Sequence, residues 1–318
     1  MDLPQSSPSS PPPRGVGGAG SSSWAVTAAG TLGLDDLTTA AGSRLEVPGG
    51  SALYFGLAAV RLARVRAVGA VGQDGQELLR ILDKYGVDRT GVAQLPGATY
   101  RWRAEHHRID PVPVSEDQQL GVYLDWQPEL PAAARDSQII FLGSMHPDRQ
   151  LEVLAQCHSP RLIALDTMRD FIATKRALLL ELVAAADLLF VNQAELADLT
   201  NSEGPEVDAA RSLIGRGRLR AVVLKQGKKG ATLITRAREL TFPAPEVDRV
   251  VDPTGAGDAL AGGLLGRMAQ LSRTDEEAME DAMSWGLECA ALAISAFGTA
   301  GLAASRNGPT HRAGGVRS

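Results

Sequence analysis

Between Val250 and Gly266 the chain reads VVDPTGAGDALAGGLLG. Two valines end a strand and a proline turns the chain. Gly255 and Gly257 then permit backbone torsions that other residues disfavour, and they let a ligand approach the main chain. The helix that follows presents free N–H groups and the positive end of its dipole, so Gly255, Ala256 and Gly257 form a cradle for an anion. Asp258 stands at the same place with its own negative charge. A carboxylate aimed at a phosphate would only repel it. One aimed at a neutral hydroxyl beside that phosphate takes the hydroxyl proton while the cradle holds the charge of the migrating group. That chemistry is phosphoryl transfer to an alcohol. The plainer alternative is a helix N-cap in which Asp258 satisfies backbone donors and does nothing more, and a lone Gly-x-Gly-Asp favours it. Gly262, Gly263 and Gly266 each cost about 1 kcal/mol against alanine inside a helix. They are expected only where that helix packs closely on its neighbours or on a ligand.

Other polar residues stand at the carboxyl ends of short apolar runs. Asn192 and Glu195 follow DLLFV, Asp166 ends RLIAL, Lys225 and Gly227 follow RAVVL, and Gly143–His146 follow QIIFL. Asp35 and Asp36 close the stretch WAVTAAGTLGLDD. Each has an ordinary reading: Asn192 ends a strand and Glu195 starts a helix with no metal, Asp35 and Asp36 form a solvated turn, and Asp166 is a strand stop. No G-x-x-x-x-G-K-[ST] occurs, so a P-loop does not grip the phosphate. GVGGAG, residues 15–20, fits G-x-G-x-x-G by letter. It precedes the first strand and lies in a low-complexity tail, where that fingerprint has no physical meaning.

The elements that must position these groups alternate along the chain. Val65–Gly72 reads as a strand, Ser51–Ala63 and Gly75–Gly86 as helices, and Ala177–Val191 as a helix ending near Asp187 followed by a buried strand. Continuous apolar strands alternating with helices indicate a parallel sheet covered on both faces, and in such sheets ligands gather outside the carboxyl ends of the strands. Thr99–Asp125 departs from the rhythm, with TYRWRAEHH and QLGVYLDW reading as strands with no helix between them. This aromatic-rich stretch reads as a small antiparallel lid beside the main sheet.

The motif DPTGAGD (Asp252–Asp258) resembles the second signature of the ribokinase-like, or PfkB, carbohydrate and nucleoside kinases. The resemblance spans nearly the whole chain between its tails. Pro48–Gly50, Val68–Gln76 and Tyr85–Asp88 match the amino-terminal half, Asn192–Leu196 matches the N-x-x-E motif, and Leu224–Ala231 matches the nucleotide-site strand and turn. The resemblance implies a three-layer αβα, doubly wound, mostly parallel sheet with a small β lid over the acceptor. It implies an ATP-dependent phosphotransferase acting on a hydroxyl of a small sugar, polyol or related carbohydrate. Asp258 maps to the catalytic base and Gly255, Ala256 and Gly257 to the anion hole. Asn192 and Glu195 map to the motif that holds Mg²⁺ through water near the nucleotide phosphates, and Lys225 and Gly227 to nucleotide contacts. Asp252 and Thr254 lie where some members bind a monovalent cation such as K⁺. Asp35, Gly49 and Gly50 map to acceptor-side positions. Here GGSALYFG has Ser51 and Tyr54 where the family usually carries asparagines, one of which often touches the sugar. Lids of this kind clasp a second subunit in some members, which makes a homodimer one expected assembly. Three alternatives stay open: a nucleoside kinase of the same fold, a non-catalytic nucleotide or metabolite sensor, and a vitamin-precursor kinase. An intact Asp258 argues against the last two, and the lid strands also argue against the vitamin-precursor kinase.

Bulk properties bound these readings. The chain has 318 residues, 44% apolar and 22% charged, with a net charge of −5 and no basic stripe, so a nucleic-acid partner is not expected. No apolar run approaches the roughly 20 residues that span a bilayer, so no membrane partner is expected either. Two lone cysteines, Cys157 and Cys289, fit a reducing cytoplasm, and five histidines show no metal-ligand spacing. Residues 1–23 and 306–318, poor in apolar side chains, read as disordered tails around a kinase domain at 24–305, with the lid at about 99–125.

Overall fold

A strand buried on both faces is apolar throughout and sends successive side chains to opposite layers. Ile139, Phe141, Leu188, Phe190, Ala221 and Val223 belong to one apolar core, while their neighbours Ile140, Leu142, Leu189, Val191, Val222 and Leu224 belong to a second. Both cores are therefore built from the same strands, one on each side of the sheet. The computed structural model describes residues 24–106 and 115–304. The expected tails, the GVGGAG stretch and residues 107–114 of the lid lie outside the described residues.

In chain order the strands are β1 (Ala25–Ala29), β2 (Gly33–Thr39), β3 (Gly42–Gly49), β4 (Arg64–Val71), β5 (Asp88–Gln94), β6 (Tyr100–His106), β7 (Ser115–Gln119), β8 (Ile139–Leu142), β9 (Leu162–Asp166), β10 (Leu188–Asn192), β11 (Ala221–Lys225), β12 (Ala231–Thr235) and β13 (Glu239–Phe242). The helices are α1 (Ser51–Ala59), α2 (Gln76–Tyr85), α3 (Ala132–Arg135), α4 (Pro147–Ala155), α5 (Arg169–Ala185), α6 (Gln193–Thr200), α7 (Glu206–Leu213), α8 (Ala256–Leu271), α9 (Glu276–Ala293) and α10 (Ala300–Ala304). Nine strands form the main sheet in the order β13-β12-β11-β10-β9-β8-β1-β4-β5. Its pairs are parallel except β11–β12 and β12–β13. The four remaining strands form a small sheet, β3-β2-β6-β7.

The small sheet is larger than the sequence suggests. Its β6 and β7 fall within the expected lid, but half of it comes from β2 and β3. β2–β3 and β6–β7 pair antiparallel, and β2 joins β6 in parallel, with Gly33 opposite Tyr100. This corrects the expectation for Asp35. The first strand ends at Ala29, so Asp35 lies within a lid strand and not at the end of β1. Tyr123 then ties the lid's return segment to the main sheet. Its hydroxyl accepts from the amides of Leu32 and Ala70 and donates to the Gly30 carbonyl, each at 3.0 Å.

The glycines of α8 meet the close packing expected of them. A Cβ at Gly262 would sit 2.5 Å from the Phe55 carbonyl oxygen, and one at Gly266 would sit 3.0 Å from the backbone of Ala59. A Cβ at Gly263 would sit 2.6 Å from the Trp285 carbonyl oxygen and 2.8 Å from Cys289 Sγ. The helix is thus pressed against α1 on one side and α9 on the other. Every residue of α1 is buried, between the sheet and α8. This packing fixes the amino terminus of α8, and with it Asp258.

Candidate active site

The loop before α8 is held by Asp252, which is fully buried. Its carboxylate accepts from the Thr254 amide at 3.0 Å and the Gly298 amide at 3.1 Å. Gly255 then takes a left-handed conformation, φ +73°, and caps α8. A Cβ there would lie 2.3 Å from ring atoms of Tyr54, so only glycine fits both the torsion and the space. Among the described residues none accepts from the Gly255 or Gly257 amide, and these donors stay available to an anion at the helix terminus. Asp258 occupies the third position of the helix, in its first turn and directly after the cradle.

Asp258, Gly255, Thr254, Asn192, Glu195, Asp35, Gly50 and Ser51 share the wall of one cavity of about 240 Å³. The sequence-predicted residues therefore converge from β2, α1, β10, α6 and α8. Thr31, Tyr54, Tyr100, Trp102, Ser144, Met168 and Arg169 complete the wall. Thr31, Ser144 and Met168 follow β1, β8 and β9, where the rule for doubly wound sheets would have found them.

Behind Asp258 lies a charged cluster. Lys225 Nζ is 3.0 and 3.2 Å from the two Asp166 oxygens and 3.8 Å from Glu195 Oε2. A Cβ on Gly257 would come within 3.2 Å of Lys225 Nζ, so the ammonium sits close to the cradle. Burial pushes the Asp258 carboxyl up to about 7, with Asp166 adding to the rise and Lys225 opposing it. Glu195 is also raised by burial, against the pull of Lys225. The neighbouring acids hold Lys225 protonated, overcoming its burial. Asp166 is a member of this cluster and does not line the cavity.

Asn192 and Glu195 form a capping box on α6. The Glu195 amide donates to Asn192 Oδ1 at 2.8 Å, and the Asn192 amide donates to Glu195 Oε2 at 2.7 Å. The motif thus shapes the helix start and also turns an amide and a carboxylate toward the cavity. Among the described residues no three histidine, cysteine, aspartate or glutamate side chains cluster to hold a metal. The donor set is oxygen-rich and sparse. It fits a hard divalent cation that keeps its water and takes most ligands from phosphates.

On the acceptor side Asp35 is buried with Oδ1 lacking any hydrogen-bond partner among the described residues. Burial, then the charges of Asp252, Asp258 and Asp36, hold its carboxyl well above the usual range. A Cβ at Gly49 would strike the Asp35 carboxylate, so Gly49 makes room for that acid without lining the cavity. Gly50, φ +95°, turns the chain into α1. Ser51 is in the wall, but its hydroxyl is engaged: it accepts from the Thr31 amide at 3.0 Å and donates to the Ser144 carbonyl at 3.3 Å. Tyr100 and Trp102 share a face of β6 and reach the cavity. Arg101 points the other way, to Asp74 at 2.9 Å and Glu46 at 3.0 Å, and so is not an acceptor contact. Gly227, Ala256 and Gly257 do not line the cavity. A second cavity of about 500 Å³ adjoins the first through Thr31, Tyr100, Ser144 and Met168, and is walled in part by Tyr123, Met145, His146 and Phe171.

Known proteins are similar to this chain in sequence and in fold. The sequence profile of the pfkB family carbohydrate kinases matches residues 31–305. The cytidine kinase of Thermococcus kodakarensis is 31% identical over 280 residues, which cover 85% of this chain and 95% of that protein. The crystal structure of aminoimidazole riboside kinase from Salmonella enterica, complexed with aminoimidazole riboside and an ATP analogue, has the same fold. It superposes with a TM-score of 0.69 at 24% identity, covering 86% of this chain and 94% of that one. Fructokinase from Vibrio cholerae, bound to fructose, ADP and calcium ion, gives a TM-score of 0.69 at 22% identity over 87% and 95% of the two chains.

Proposed function

The chain belongs to the pfkB carbohydrate kinase family, phosphotransferases with hydroxyl acceptors, and from that premise we propose that it moves the γ-phosphoryl group of ATP to a hydroxyl of a small sugar or polyol, with Asp258 as the base. The single observation that carries the assignment is the position of Asp258. It is a half-buried carboxylate in the first turn of a helix whose Gly255 and Gly257 amides meet no acceptor among the described residues, and it faces a cavity that also holds Asp35, whose Oδ1 has no partner among them.

Asp35 accepts a hydrogen bond from the acceptor and orients it. Asp258, raised to about 7, accepts the proton of the reacting hydroxyl, whose oxygen forms a bond to the γ-phosphorus as the bond to the β–γ bridging oxygen breaks and ADP leaves. The amides of Gly255 and Gly257 receive the charge on the transferring group, while the expected third donor, the Ala256 amide, is engaged by the Pro253 carbonyl at 3.4 Å. Lys225 neutralises the acids behind the cradle and keeps them from repelling the nucleotide. Asn192 and Glu195 would hold the water shell of a Mg²⁺ ion, which when bound with the nucleotide would neutralise phosphate charge. Thr254 Oγ1, buried without a partner among the described residues, supports a K⁺ site beside Asp252. The unpaired thiols of Cys157 and Cys289 support a reducing cytoplasm. A homodimer joined at the exposed β3 edge, which carries Leu45, is the assembly we expect.

A nucleoside acceptor is the second reading. The adjoining cavity favours it, since Tyr123, Phe171, Met145 and His146 suit a flat ring attached to the sugar. The test is turnover of Mg-ATP with a panel of sugars, inositols and nucleosides, with product identified by mass. Phosphorylation of at least one member is expected. No phosphorylated product from any class would remove the proposal.

A further inference from the structure

The wall of the first cavity holds three acids, Asp35, Glu195 and Asp258, and among the described residues one cation, Arg169. Lys225 is turned to Asp166 and Glu195 behind the cradle and does not line the cavity. Arg169 opens α5, shortly after the end of β9. Its Nε donates to Asp198 Oδ2 at 2.7 Å. Asp198 stands three residues after Glu195 on α6, so the two acids share a helix face. The guanidinium is thus held beside the N-x-x-E motif. Burial raises the Glu195 carboxyl, and Arg169 joins Lys225 in opposing that rise. The side chains of Arg169 and Asp198 are about half exposed, at 51% and 41%. An ion pair so open to water contributes little, so the arginine leaves it at small cost when a stronger anion arrives.

A phosphoryl group that enters beside three carboxylates needs a cation on the cavity side. In transfer its charge spreads over three equatorial oxygens, and a planar guanidinium meets two of them with parallel N–H donors. The main chain alone is short of donors, because the Ala256 amide is engaged by the Pro253 carbonyl. We propose that Arg169 exchanges Asp198 for the γ-phosphoryl oxygens of the bound nucleotide and is a catalytic cation of the transfer, complementing the Gly255 and Gly257 amides. Arg169 forms and breaks no covalent bond. The acceptor oxygen bonds to the γ-phosphorus, the bond to the β–γ bridging oxygen breaks, Asp258 takes the proton, and the guanidinium holds the charge of the migrating group. This rests on the phosphotransferase reading of the cavity.

The test compares Arg169→Gln with Asp198→Asn. Both break the same ion pair, and only the first removes the cation. Steady-state kinetics use Mg-ATP and the best acceptor, and calorimetric titration with Mg²⁺ present uses ADP and the non-hydrolysable imido analogue of ATP. Arg169→Gln should lose about 10²–10³-fold in kcat/KM for ATP. It should bind the imido analogue about 10-fold more weakly or worse, the scale of hydrogen bonds to a charged group, while ADP affinity and the acceptor KM stay within about twofold. Asp198→Asn should keep kcat/KM within about threefold of wild type, since a surface pair is all it removes. Equal losses in the two variants overturn the assignment and reduce the pair to a tie between α5 and α6. Equal weakening of ADP and the imido analogue overturns it too, as does a loss confined to the acceptor KM. Those outcomes leave Asp258 and the kinase reading untouched. Conversely, a wild type that phosphorylates no acceptor, yet prefers the imido analogue to ADP only while Arg169 is present, retains the Arg169 assignment and removes the kinase reading.

Discussion

Replacing Gly255 by alanine tests how the cradle is built. Two costs are separable. The left-handed torsion, φ +73°, costs an L-residue about 1–2 kcal/mol. The added methyl then meets the Tyr54 ring at 2.3 Å. That ring is fully buried and cannot swing clear, so overpacking adds about 1–3 kcal/mol. Gly86 provides the control, with a similar φ of +77° and nothing within 4 Å of an added methyl. Gly86→Ala therefore carries the torsional cost alone, and the gain from a stiffer unfolded chain is common to both variants. For a domain of this size each kcal/mol lowers the melting temperature by about 2–4 °C. Gly255→Ala should melt roughly 4–20 °C below wild type and Gly86→Ala roughly 2–8 °C below, by calorimetry or circular dichroism. The first should also lose about 10²-fold in kcat, since a displacement near 1 Å at the cradle misaligns the transfer. Equal melting temperatures for the two variants would refute the contact between Tyr54 and the cradle.

Two further outcomes concern charge. Asp258 must be ionised to act, and its carboxyl is raised to about 7, so kcat should fall about tenfold per pH unit below 7 and level off above it. The same group works on stability in the opposite sense: its raised folded value stabilises the protein fully below pH 4, and that contribution is lost as pH rises through 7. A flat kcat between pH 5 and 8 would contradict the assignment. Lys225→Met removes the cation that opposes the rise of Asp258. The acid limb should move above pH 7, and breaking the buried pair with Asp166 should cost about 3–5 kcal/mol in urea unfolding; an unmoved limb would separate Lys225 from the base.

The parts legible in the sequence were those whose physics is local. Gly255 to Asp258 announce themselves in a few residues, because a turn, a helix start and a carboxylate are consecutive. The parallel strands are short apolar runs that need no partner to be recognised. The missing half of the lid is different. β2 pairs with β6 at a separation of more than sixty residues, with Gly33 against Tyr100, and nothing in LGLDDLTT states that partner. Asp35 consequently moved from a strand end into the lid. Ser51 stands at an acceptor-side position in the sequence, and that its hydroxyl is engaged could not be read there for the same reason, since Ser144 is 93 residues away. Read from sequence, Tyr100, Arg101 and Trp102 together could meet the acceptor; Arg101 drops out because alternate residues of a strand face opposite sides. The capping box of Asn192 and Glu195 was readable, and it accounts for their spacing before any metal is invoked.

The central claim is that one carboxylate takes a proton from an alcohol beside a cradle of main-chain amides. Asp258→Asn, compared with wild type for phosphoryl transfer from Mg-ATP to the best acceptor, tests it most directly. The account predicts a loss of roughly 10²-fold or more in kcat, with ATP and acceptor affinities retained. Wild-type turnover in the variant would contradict it.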